Sequence, residues 1–129
     1  MVAGHDPDSG ESAIDREHLR RQTMDDDALG LELLELFLTQ STKLLDIIAM
    51  EARAGRRRDA AHTLKGAAVA IGAFAVARQA EAVEAAAVAA PDILRGEVER
   101  LAATVAASHA AIMAIVCDGR QDDGAIGGA

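Results

Sequence analysis

The sequence predicts an all-α protein, an antiparallel up-and-down four-helix bundle with a short extra N-terminal helix. Three observations predict it. Half of the 129 residues are hydrophobic but only 2% are aromatic, with no Trp or Tyr. The core must therefore be built from Leu, Ile, Val and Ala, which suits packed helices better than a sheet. Only two prolines occur, long stretches run without a breaker, and apolar residues recur at three- and four-residue steps. A chain of this length reads as one domain with room for a real core.

Residues 1–12 are polar and contain Gly and Pro, and read as a disordered lead. A short helix over about 15–22 follows, with Ile14 and Leu19 placed to dock on the bundle. Thr23-Met24-Asp25-Asp26 has capping-box spacing, and the acids 25–27 suit a helix N-terminus. The helix they open runs to about residue 54, with Leu33, Leu34, Phe37, Leu44, Leu45 and Ile48 on its apolar stripe. Gly55 takes the C′ position after it. The next helix runs from about Arg56 to Gly72. Another covers about 73–89, with Phe74, Val76, Ala80 and Val83 inward. Pro91 suits the first turn of the last helix, which carries Leu94, Val98, Leu101, Val105, Ile112 and Ile115. The bundle spans 13–117, and the Gly- and Asp-rich residues 118–129 read as a disordered tail. Short loops make neighbouring helices antiparallel.

Composition narrows the class of function. A net charge of −8 argues against general nucleic-acid binding, which calls for basic surfaces. No apolar run reaches the roughly 18 residues of a membrane span, and no signal-peptide pattern opens the chain. The single Cys117 excludes an internal disulfide framework and a Cys-based metal cage. These features read as a soluble, cytoplasmic protein.

The chemistry concentrates in His62-Thr63-Leu64-Lys65-Gly66. At about 100° per residue, Ala60, Ala61, Leu64, Ala67, Ala68 and Ile71 share one face and point to the core. His62 lies opposite. Arg58, Lys65 and Val69 flank it on one edge; Asp59 and Gly66 flank it on the other. A lone exposed histidine on a bundle is ordinary surface, and a lysine beside it equally so. Gly66 is not ordinary, because glycine in a helix interior costs about 1 kcal/mol relative to alanine. One turn from His62, its missing side chain opens space for a partner to reach the ring. Lys65 and Arg58 are placed to neutralise a phosphoryl group on that ring. Gly72 fits a helix end or a close helix approach and carries no chemistry.

His62-Thr63-Leu64-Lys65-Gly66, then Ile71-Gly72-Ala73, Val76-Ala77 and Val83-Glu84, resemble the signature of the histidine-containing phosphotransfer (HPt) domain. Leu33 to Phe37 is similar to that family's second helix, and the resemblance covers roughly residues 14–116. Ala67 stands where Ser is frequent, and Val76 and Val83 where Leu is usual. The resemblance implies that His62 is phosphorylated and relays phosphate between receiver-domain aspartates. It makes Lys65 a phosphate-stabilising position and Gly66 an access-giving one. The implied partners are response-regulator receiver domains and a hybrid sensor histidine kinase. The chain would carry no cofactor of its own, with Mg²⁺ on the receiver.

No Gly-rich phosphate loop or kinase motif occurs, so a phosphotransfer protein without autonomous kinase activity is expected. Val69, with small neighbours such as Ala70, would form the apolar part of the docking face. The basic group Arg53, Arg56, Arg57, Arg58 and Lys65 could steer an acidic partner. No His pair has metal-ligand spacing. His109 reads as a packing or surface residue, and His5 and His18 show no ligand pattern. No helix shows a second apolar face, so a monomer is expected. The competing readings are a non-phosphorylated helical adaptor that binds a kinase or response regulator, and a dimerisation module.

Overall fold

The computed structural model describes residues 13–128, in which helix is the only regular secondary structure. The expected lead 1–12 lies outside these residues. Five helices follow one another: α1 (Arg16–Gln22), α2 (Asp27–Met50), α3 (Ala54–Ile71), α4 (Phe74–Ala86) and α5 (Pro91–Gly128). Each long helix packs against its neighbour in the chain, and α5 returns to close the ring against α2. Short connections make the neighbours antiparallel. The short α1 lies on α3 and α2. The predicted four-helix bundle is thus the fold found.

The core is aliphatic, as an aromatic-poor chain requires. Leu34, Phe37 and Ile48 from α2 meet Leu64 of α3, Val76 and Val83 of α4, and Leu101, Val105 and Ile112 of α5, all essentially buried. Each such side chain contributes about 1.5–3 kcal/mol by leaving water. The inward stripe of α3 is buried as its period demands, with Ala67 half-exposed at the edge. Phe74, expected inward, is half-exposed and meets the His18 ring edge-on at 5.0 Å.

Four boundaries differ from the sequence reading. Thr23 does not open α2. Its hydroxyl donates back to the carbonyls of Leu19 and Arg20, closing α1, and Asp26 caps α2 by accepting from the Leu29 N–H at 3.0 Å. Gly55 does not end α2, which stops at Met50. The Arg57 guanidinium reaches back to the carbonyls of Ile48 and Glu51, so the helix end is satisfied from outside and Gly55 lies in the first turn of α3. The fourth helix ends at Ala86, three residues early, where 87–90 turn toward Pro91. Finally, α5 continues through Gly128 where a tail was expected from residue 118. No proline interrupts that stretch, and glycine weakens a helix without forbidding it.

Within Pro91–Gly119, α5 also holds a stretch long and apolar enough, by length and composition, to cross a membrane. Counting uninterrupted apolar runs misses it. Its Leu101, Val105, Ile112 and Val116 pack one face of the helix against the bundle, and 28% of the apolar stretch is buried.

His109 is half-buried at the edge of the bundle core. Ser41 donates its hydroxyl to the Phe37 carbonyl at 2.6 Å and accepts from His109 Nε2 at 2.7 Å, with the ring edge-on to Phe37. Burial holds the imidazole below its ordinary 6.5. The unfolded chain therefore binds this proton more readily than the folded one. The stability involved is complete above about pH 6.5 and is lost as pH falls through the lower folded value. Thermal unfolding at pH 7.5 and 5.5 should show a smaller acid-induced drop in Tm for His109→Gln than for wild type. Equal drops would remove His109 as the cause.

Candidate functional site

α3 presents His62 because its other face is committed. Ala61, Leu64, Ala68 and Ile71 are pinned in the core, and the helical period then turns residue 62 outward, leaving its side chain 72% exposed. The ring has one hydrogen-bond partner among the described residues. Its Nδ1 lies 3.1 Å from Oε2 of Glu84 on α4. An ionised carboxylate only accepts, so Nδ1 carries the proton and donates it. In the neutral ring this places the lone pair on Nε2, the nitrogen not held by Glu84.

The two flanks of His62 face different helices. On one, Lys65 Nζ donates to Glu81 Oε2 of α4 at 3.2 Å. On the other, Asp59 and Thr63 line a groove with Leu44 and Ile47 of α2, and the Thr63 hydroxyl folds back on the Asp59 carbonyl. A Cβ built at Gly66 would meet nothing within 4 Å. The glycine therefore serves no internal packing contact, and the space beside the ring is open to solvent. Val69 is exposed, as is Ala70.

The basic group is less available than its composition suggests. Arg53 and Arg56 both pair with Glu51, at 3.1 and 3.3 Å. The Arg53 side-chain hydrogen bond, then its backbone N–H, hold the Glu51 carboxyl below its ordinary range, with the Arg56 charge adding to them. Arg57 caps α2. Arg58 alone in this group has no hydrogen bond or ion pair among the described residues, and it sits one turn before His62 on the exposed face.

Further contacts tie the site to the scaffold. Gly72 ends α3 at φ +83°, with the N–H of Ala73 on the Ala68 carbonyl and its own N–H on Val69, a Schellman closure. Its carbonyl receives the Asp15 N–H at 2.9 Å. His18, which the sequence left without a role, donates Nε2 to the Val69 carbonyl at 2.8 Å. α1 is thus fastened to the end of the helix that carries His62. Among the described residues, no group of three or more His, Cys, Asp or Glu is placed to hold a metal ion.

Sequence reasoning missed Glu81 entirely and gave Glu84 no task. The antiparallel register held the signal. Three residues forward along α3, from His62 to Lys65, correspond to three residues back along α4, from Glu84 to Glu81. Both acids therefore share the α4 edge that faces the motif.

The Hpt domain family model matches residues 32–111, a span that contains the whole motif and both α4 acids. No curated protein and no solved structure matches the chain significantly. The match covers well over half of the chain and falls on a helical bundle with an exposed histidine on its third helix. The chain belongs to the Hpt domain family, the phosphotransfer modules of two-component signalling, which interact with receiver domains.

Proposed function

We propose that this protein is a phosphorelay intermediate that accepts a phosphoryl group on Nε2 of His62 from a receiver-domain aspartate and passes it to a second receiver. The observation that carries this reading is the 3.1 Å contact of Nδ1 with the Glu84 carboxylate on an otherwise exposed ring. In the neutral ring it leaves the Nε2 lone pair accessible. In the forward step the Nε2 lone pair attacks phosphorus, and the bond from phosphorus to the aspartyl oxygen breaks as the carboxylate leaves. No proton has to move. Nδ1 keeps its hydrogen, the ring becomes cationic, and Glu84 balances that charge. Positioning and charge neutralisation do most of the work in such a transfer.

Arg58 is the cation free to meet the incoming phosphoryl group, and Lys65 can join it after leaving Glu81. Gly66 gives access, and Asp59 and Val69 border the docking face on its two edges. Mg²⁺ belongs to the receiver, and this chain supplies neither cofactor nor kinase activity. A hybrid sensor kinase would feed the relay in the cytoplasm, with this protein acting as a monomer.

Incubation with a phosphorylated receiver domain tests the reading. The expected product is phosphate on this chain that is lost in acid and stable in base. Absence of uptake from every cognate receiver, with binding intact, would instead make the protein an adaptor.

Gly66 separates access from stability. Gln is a better helix former than Gly by a few tenths of a kcal/mol, and nothing lies near the Gly66 Cβ position. Gly66→Gln should melt at or above the wild-type temperature while phosphate uptake falls on the order of 100-fold, as expected when reacting groups are held about 1 Å out of place. Full transfer by a stable Gly66→Gln protein would remove the access role.

A further inference from the structure

Lys65 does not stand ready beside His62. Its ammonium is engaged by Glu81 at 3.2 Å, with the lysine side chain 34% and the glutamate 64% exposed. The groups around the ring divide by helix. α4 contributes two carboxylates, Glu84 on Nδ1 and Glu81 on Lys65. α3 contributes Arg58 and Asp59, and α2 borders the far flank with Leu44 and Ile47. The one cation that follows His62 by a single turn is thus held at rest by an acid that has no other partner among the described residues.

We infer that Glu81 is a positioning residue that competes with the phosphoryl group for Lys65, and so sets how strongly phosphate is retained on His62. The inference rests on the phosphorelay reading of His62. Once phosphate is on Nε2, Lys65 either stays with Glu81 or turns to the phosphoryl oxygens, and it cannot serve both fully. With Glu81 present, the phosphohistidine is less stabilised and more readily gives its phosphate to a receiver. An exposed ion pair is weak and easily exchanged, which suits a contact that must open in each cycle. The transfer itself is unchanged: Nε2 gains phosphorus as the aspartyl oxygen leaves, and the reverse occurs on donation.

The second ionisation of the phosphoryl group reports the contact directly, because a nearby cation favours the dianion. The full chain is phosphorylated with potassium phosphoramidate, a small donor that needs no receiver, and titrated by ³¹P NMR as wild type, Glu81→Gln, Lys65→Gln and the double variant. Glu81→Gln should lower the phosphoryl pKa by about 0.2–0.7, the scale of an exposed ion pair. Part of any drop comes from losing the Glu81 charge itself. In the Lys65→Gln background the drop should therefore shrink to less than half. At equilibrium with a receiver, Glu81→Gln should also retain two- to fourfold more phosphate on His62. An equal drop in both backgrounds, or none in either, overturns the role of Glu81 and leaves His62 standing. If wild type forms no phosphohistidine at residue 62, the phosphorelay reading falls and this inference falls with it.

Discussion

Gly72→Ala is expected to unfold the protein roughly 10–20 °C earlier than wild type, a loss of about 3–5 kcal/mol. Two independent effects add. Gly72 sits at φ +83°, where an L side chain costs about 1–2 kcal/mol. A Cβ there would also lie 2.6 Å from the Asp15 carbonyl oxygen and 3.1 Å from its nitrogen. These are backbone atoms, fixed because Asp15 both caps α1 and donates its N–H to the Gly72 carbonyl. Relief requires α1 to lift, taking Ile14 and Leu19 out of the core. Against a typical stability of about 5–15 kcal/mol the loss is large. Gly30→Ala is the control: its Cβ would meet only the Leu19 side chain at 3.8 Å, an ordinary contact, so its Tm should match or exceed wild type. A Gly72→Ala protein that melts within about 2 °C of wild type would show that α1 is not docked as described.

His62→Gln is expected to do the opposite, removing function and sparing the fold. The ring is 72% exposed, and surface substitutions usually stay within about 0.5 kcal/mol. Phosphate uptake from a labelled receiver should vanish, since Gln has no nucleophilic nitrogen. Label persisting on the variant would move the site elsewhere. Glu84→Ala should give a graded result. Without the carboxylate the ring proton is free to move to Nε2, where it blocks the lone pair. A hydrogen bond of this kind contributes about 1 kcal/mol, so uptake should slow roughly fivefold, measured as the initial rate against a fixed concentration of phosphorylated receiver. An unchanged rate would mean that Glu84 does not orient the ring.

The two variants mark what the sequence could and could not convey. Leu64 inward and His62 outward follow from a helical period that any reading of Ala60 to Ile71 recovers. The openness at Gly66 follows from the same phase, and the structure puts nothing there. Glu84 and Glu81 were out of reach because their relevance depends on how α4 slides along α3, which the helical period alone does not set. Helix ends were misread for a related reason. Gly55 and Thr23 are good local terminators, yet Arg57 ends α2 from the next helix, and the Thr23 hydroxyl is spent on α1. Local rules rank the candidates, and tertiary partners choose among them. The basic cluster shows the same limit: composition counts Arg53, Arg56 and Arg57 as steering charge, while Glu51 and the end of α2 consume them.

The central claim is that Glu84 holds the His62 proton on Nδ1 so that Nε2 receives the phosphoryl group. Heteronuclear ¹⁵N and ³¹P NMR of the full chain, before and after phosphorylation by a receiver domain, tests it most directly. The expected result is an Nδ1–H tautomer in the resting protein and a phosphorus coupled to Nε2 of His62 afterwards. A resting Nε2–H tautomer, phosphate on Nδ1, or phosphate on any other residue would contradict it.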